Sequence, residues 1–448
     1  MQGTRKGKSE SSCTLIPVPC SLQLSPYICP FSKIQQQIAM EPQPVINFDN
    51  TEYAFAYKSD KELKQAHFLF SLMGKPWLVK MGTKLTPAAV KWNLPFVKSI
   101  IRNTIFQQFV GGETLEQNVV VADKLEKYDV QVILDYGVEG KEGEDNFDHA
   151  CDEFIRVINY ASTQPNIPFM SIKVTGFARF GLLEKLDAMM HKNEGSLMKK
   201  HLKAVEDLPT KEKEEWHRVR IRMHRICETA AKGNVGVFVD AEETWIQDPV
   251  DALTILMMDT YNKEKCIVYN TTQHYRHDRL QFLKDSYEAA VERKFILGAK
   301  LVRGAYMEKE RKRAEEMNYP SPIQPDKESS DKDFDEGVRF CIEHIDKISL
   351  VVASHNERSN MLAVELLQQK GLPLKHHHVH WSQLYGMSDN ITFNLAKAGC
   401  NVSKYLPFGP IKDVVPYLMR RAQENTSIGG QTSRELGLIS KEMKRRGL

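Results

Sequence analysis

The chain has 448 residues, 42% of them hydrophobic and 27% charged, a globular composition that excludes wholesale disorder. Its 61 Lys and Arg against 58 Asp and Glu leave a net charge of +3, too balanced for a nucleic-acid-binding domain. No run approaches the ~18 apolar residues of a membrane span.

Residues 1–39 are rich in Ser, Pro and Cys, nearly free of acids, and carry Arg5, Lys6, Lys8 and Lys33. Two readings stay open: a targeting peptide, which would place the protein in mitochondria, or an unstructured extension upstream of a start at Met40. Prolines break the apolar patch of 12–29, which makes a poor signal-peptide core. The eight cysteines are scattered, with no C-x-x-C, so reduced thiols in a cytosol-like compartment are expected.

Residues 40–128 read as an N-terminal helical arm. Ser59 and Glu62 stand in capping-box spacing ahead of Leu63, Phe68, Leu69 and Leu72, and a second helical stretch covers roughly 87–127. From 129 to 448 the texture changes. Short apolar or β-branched runs recur at Val130–Leu134, Phe169–Val174, Val235–Val239, Cys266–Tyr269, Leu297–Val302, Leu350–Ala353, His376–His380 and Asn401–Tyr405. Helical periodicity follows each, so the pattern is one of βαβ units and a parallel sheet. Eight units predict an α/β fold, a (β/α)8 barrel, with a doubly wound open sheet as the competitor. The nucleotide fingerprints G-x-G-x-x-G and G-x-x-x-x-G-K-[ST] are missing, which tilts the choice toward the barrel. Charged helical insertions are expected at about 187–230 and 308–335.

A barrel collects its chemistry at the C-terminal ends of its strands. Polar residues fall there repeatedly: Lys173, Asp240, Asn270 with Gln273, Lys300 with Arg303, His355 with Asn356, Gln383 and Tyr405. Each alone reads as a strand-end cap; the repetition points to a site. After the last strand, Arg420 and Arg421 lie four and three residues before Glu424, so one carboxylate can brace a guanidinium pair suited to a substrate carboxylate. The competing reading is a solvated salt-bridged helix face. His376, His378 and His380 alternate as on one strand face, but no acid or Cys stands at ligand spacing, and no metal is expected. Lys441, Lys444, Arg445 and Arg446 form a basic tail, read as a solvated helix end or as a membrane-surface contact.

Three stretches, Lys300-Leu-Val-Arg-Gly-Ala-Tyr306, Tyr405-Leu-Pro-Phe-Gly-Pro and Tyr417-Leu-Met-Arg-Arg-Ala-Gln-Glu-Asn425, closely resemble the proline dehydrogenase family. Asp240-Ala-Glu-Glu243, Ser354-His-Asn356 and Gln383-Leu-Tyr-Gly-Met387 add to the resemblance, which covers about 50–448. It implies a distorted TIM-type barrel holding FAD non-covalently at the strand C-termini, with L-proline as substrate and a membrane quinone taking the electrons. By the matching motifs, Arg420 and Arg421 clamp the proline carboxylate and Glu424 braces them. Lys173 and Asp240 form an ion pair, Tyr306 and Tyr405 close over the substrate, and Leu301 packs on its ring. Lys300, where some relatives carry Arg, lies near the flavin. Asn270, where some have Gln, joins Val302, Gly304, Ala305, Ser354, His355, Asn356 and Gln383 along the cofactor. Phe408 and Trp381 depart from a frequent Tyr and Phe. Two other functions fit the same residues: a Schiff-base aldolase using Lys173 or Lys300 as nucleophile, and a barrel that senses proline without turnover.

Overall fold

A computed structural model describes residues 46–91, 97–137, 142–427 and 431–448; residues 1–39 lie outside them. Eight parallel strands close into a barrel in sequence order: β1 (Gln131–Tyr136), β2 (Phe169–Ile172), β3 (Gly236–Val239), β4 (Val268–Gln273), β5 (Leu297–Val302), β6 (Ile348–Ala353), β7 (Val379–Leu384) and β8 (Val402–Phe408). Closure runs along β1 and β8, from Gln131 opposite Ser403 to Tyr136 opposite Phe408. The open-sheet alternative is thereby excluded, and all eight expected strands are present.

Alternation along the strands sorts side chains into two layers. Ile133, Phe238, Tyr269, Val351 and Tyr405 point inward and make a small interior core, where Phe169 stacks on Phe238 at 4.6 Å. The outward-facing residues pack against the helices in a much larger core. The outer layer is apolar and the inner one mostly so through the lower barrel, which is why these strands read as hydrophobic runs.

Several strands run further than their apolar stretch. β1 continues to Tyr136, β4 to Gln273, β7 to Leu384 and β8 to Phe408. The extra residues include inward-facing Asp135, Thr271, Gln273 and Ser382, polar because they face a cavity instead of the core. Conversely, His376 and His378 precede β7, and only His380 is in it. His380 lies inside the barrel with Nε2 2.6 Å from Ser403 Oγ, while His378 Nδ1 meets the Ile345 carbonyl at 2.7 Å. The three histidines therefore share no strand face.

Between β2 and β3 come helices Phe180–Met190, Leu197–Glu206 and Thr210–Gly233. Before β1, Ser59 and Glu62 form the capping box of the Asp60–Met73 helix. This segment and the C-terminal helices Ile411–Ser427 and Gln431–Arg446 share one apolar core, built from residues such as Phe55, Leu63, Phe70, Phe109, Leu418 and Leu438. The helices ahead of β1 thus anchor the helix that follows β8.

Candidate active site

Asp240, just past β3, sits at the centre of the barrel mouth. Its Oδ1 accepts from Lys300 Nζ at 2.5 Å, its Oδ2 accepts from the Tyr405 hydroxyl at 2.6 Å, and Lys173 Nζ stands 3.8 Å from Oδ2. Lys300 and Tyr405 come from within β5 and β8, Lys173 and Asp240 from just past β2 and β3. Burial alone would raise the Asp240 carboxyl, but the charges of Lys300 and Lys173 hold it below the usual carboxylate range. Burial works against the Lys173 ammonium, and the carboxylates of Asp135 and Asp240 outweigh it, so its pKa is raised. Lys300 also lies over the Phe238 and Tyr405 rings, 5.4 and 4.9 Å from their centroids. Asp135 is itself held by Ser171 Oγ at 2.9 Å.

The wall comes from β4 to β7. Arg303 spans it, donating to Asp331 at 2.6 Å, Ser354 Oγ at 2.8 Å and Ser359 Oγ at 2.9 Å. Gln383 donates to the Ser354 carbonyl and accepts from Thr392. His355 Nδ1 lies 2.9 Å from Ser388 Oγ, and burial next to Lys404, Arg421 and Arg303 pushes its pKa down to about 3, so it is neutral. Gly304 takes φ +134°, and a Cβ there would come within 2.3 Å of the Tyr275 ring. Only glycine satisfies both demands.

The roof is the Ile411–Ser427 helix with the turn around Tyr306. Tyr417, Arg420, Arg421 and Tyr306 all line the same cavity as Asp240, and Arg421 stacks over Tyr417 at 5.2 Å. The cavity measures about 480 Å³, within the range of small-molecule sites. Cations exceed acids on its wall: Lys173, Lys300, Arg303, Lys327, Arg420, Arg421 and Arg434 against Asp135, Asp240, Glu357 and Glu435. The arrangement suits an anionic ligand, held in part by a fork of adjacent guanidiniums.

Of the residues singled out from sequence, Lys173, Asp240, Lys300, Val302, Gly304, Ala305, Tyr306, Ser354, His355, Asn356, Gln383, Tyr405, Arg420 and Arg421 line this one cavity. Two do not. Leu301 alternates to the other side of β5, is fully buried, and packs among the surrounding helices. Asn270 likewise faces outward, donating to Asp251 at 2.9 Å, while inward-facing Gln273 reaches the cavity. Both corrections follow from strand parity. Asn356 contributes less side chain than expected, because its Oδ1 caps the Glu357–Gln369 helix. The Glu424 side chain lies outside the described residues. Sequence reasoning missed Asp135, Ser388 and Glu435. Asp135 was findable as the next inward position after Ile133; Ser388 and Glu435 come from loops and helices with no strand-end signal.

Among the described residues, no helix is long and apolar enough to cross a membrane. Asp187, His191 and Asp248 lie together outside the barrel mouth, and His191 there is tied to Asp187 as an ion pair at 3.2 Å.

A cation-walled cavity at the strand C-termini defines a (β/α)8-barrel protein with a small-molecule site. The proline dehydrogenase family model matches residues 119–434, so the chain belongs to that family. It is 32% identical over 376 residues to "Proline dehydrogenase 1, mitochondrial" of Dictyostelium discoideum, across 77% of this chain and 65% of that protein's length. It is 29% identical over 435 residues to the hydroxyproline dehydrogenase of Xenopus laevis, across 91% of this chain and 92% of that one. Its fold is shared with proline utilization A from Bdellovibrio bacteriovorus, TM-score 0.69 at 17% identity, covering 88% of this chain and 44% of the solved one.

Proposed function

We propose that this chain is an FAD-dependent proline dehydrogenase that oxidises L-proline to 1-pyrroline-5-carboxylate and passes the electrons to a quinone, the first step of proline breakdown to glutamate. The observation that carries the reading is the placement of Arg420 and Arg421 over the Lys173–Asp240–Tyr405–Lys300 cluster in one cavity.

The residues fit the cofactor. The Gln273 Oε1 and Thr271 Oγ1 atoms are buried without a hydrogen-bond partner among the described residues, on side chains that line the cavity. Buried polar atoms of this kind call for a ligand. The cationic excess suits a pyrophosphate, and Gly304 lets backbone approach closely. Lys300, Val302, Gly304, Ala305, Ser354, His355, Asn356, Gln383 and Gln273 would hold FAD, which when bound supplies a hydride acceptor.

The chain's own residues do the aiming. Arg420 and Arg421 bind the carboxylate of a small zwitterion and fix which ring face it presents. Tyr306 and Tyr405 supply apolar cover that excludes water. Asp240, held ionised by Lys300 and Lys173 and bonded by Tyr405, is a poor proton acceptor and orders those groups. A cation at Lys300 favours negative charge developing nearby.

Charge speaks against the aldolase reading, since a Schiff-base lysine must be neutral and free, whereas Lys173 is held protonated and Lys300 is tied to Asp240 at 2.5 Å. Dye-coupled oxidation of L-proline by the purified chain tests the proposal: turnover supports it, whereas proline binding without turnover identifies a sensor. The specific observation favouring a second substrate is the Xenopus relative, so trans-4-hydroxyproline belongs in the same assay. A mitochondrial location is part of the proposal, following the name of the Dictyostelium relative.

A further inference from the structure

The segment from 63 to 112 contains no Asp or Glu, although the chain as a whole is charge-balanced. It carries Lys64, Lys75, Lys80, Lys84, Lys91, Lys98 and Arg102. Arg102 pairs with Glu113, but among the described residues no carboxylate pairs with Lys64, Lys75, Lys80 or Lys98. The same stretch holds the most solvent-exposed aromatic side chains of the described core: Trp77 is 65% exposed and Phe68 59%, joined by Ile100 at 62% and Met81 at 48%. Trp77 and Met81 lie one turn apart on the Pro76–Lys91 helix, with Lys80 beside them, so apolar and cationic groups share a stripe. Phe68 borders a cleft with Asn103 and Thr104, one turn beyond Ile100. Large apolar groups rimmed by unpaired lysines mark an interaction surface.

We propose that this arm, centred on Trp77, Lys80 and Met81, docks the protein on an anionic lipid surface. Acid-free charge complements a lipid headgroup layer, a Trp favours its interfacial depth, and the apolar tips enter the acyl boundary. The basic C-terminal tail, the other membrane candidate, is spent internally: Arg445 and Arg446 pair with Glu442, Arg446 with Asp60, and Lys441 donates to the Asp49 carbonyl. Position adds a purpose. The Pro76–Lys91 helix packs on the Ile411–Ser427 helix that carries Arg420 and Arg421, so docking would bring the cavity roof close to the bilayer. That purpose rests on the quinone part of the proposed function; the docking itself does not.

The test uses full-length protein sedimented with phosphatidylcholine vesicles, with and without phosphatidylglycerol, in the absence of proline. Binding only to phosphatidylglycerol vesicles is expected, reversed by high salt. The triple variant Lys75→Glu, Lys80→Glu, Lys98→Glu should weaken binding about a hundredfold or more. Trp77→Ser with Met81→Ser should weaken it as well, and both variants should keep dye-coupled proline oxidation at the parent rate. A Lys444→Glu, Arg445→Glu variant should bind like the parent. No vesicle binding, equal binding by the arm variants, or a concentration-dependent dimer that the arm variants abolish in place of vesicle binding would each overturn the inference. A failure of proline turnover, by contrast, would leave it standing.

Discussion

Tyr405 donates its hydroxyl to Asp240 at 2.6 Å, joining β8 to the end of β3 although those strands do not pair. The same carboxylate holds Lys300, whose side chain is 5% exposed. Removing it leaves a buried ammonium without its partner. Asp240→Ala should therefore lower unfolding free energy by about 3–5 kcal/mol, read by urea denaturation. A loss under ~1 kcal/mol would mean that the cluster is loosely held.

Arg421 is buried in the roof of the cavity. Arg421→Met removes one charge-assisted bond to a carboxylate, worth about 1.5–3 kcal/mol, so the KM for proline should rise roughly ten- to hundredfold. Circular dichroism checks that the variant is folded. An unchanged KM removes Arg421 from the clamp.

Leu301 and Asn270 separate legible from illegible sequence. Motif resemblance placed both at the ligand, but strand parity turns both to the helices. Leu301→Ala should cost about 2–5 kcal/mol of stability while leaving the proline KM unchanged. A steep KM effect at native stability would restore it to the pocket.

The barrel was readable because its lower layers are mostly apolar on both faces, giving eight countable runs. Strand ends were less so. Where β4 and β7 enter the cavity their inward residues turn polar, at Thr271, Gln273 and Ser382, and an apolar-run criterion stops short. Lys173, Asp240, Lys300 and Tyr405 could still be picked out, since charged or phenolic groups at strand ends have few structural uses. Ser388 and Glu435 could not. Their place at the cavity depends on how helices far apart in sequence dock, as when Glu435 accepts from the Ser388 amide.

Glu435 also sets a pH dependence. Burial, then the charge of Asp389, raises its carboxyl from 4.5 to about 7. The folded state thus binds this proton more tightly than the unfolded chain. Its contribution is complete below the unfolded value and is lost as pH rises through about 7. Glu435→Gln keeps an acceptor for Ser388 and removes the titration. Between about pH 5 and about pH 8 the variant should gain about 1–3 kcal/mol on the parent protein. Parallel stability curves would show that Glu435 titrates normally.

In the proposed function, guanidiniums on the post-β8 helix hold proline against a flavin in the barrel mouth. An absorption spectrum of the purified protein, taken before and after adding L-proline anaerobically, tests it most directly. Flavin bands that bleach on addition are expected. Protein that binds no flavin after incubation with FAD, or flavin bands that proline leaves unchanged, would contradict it.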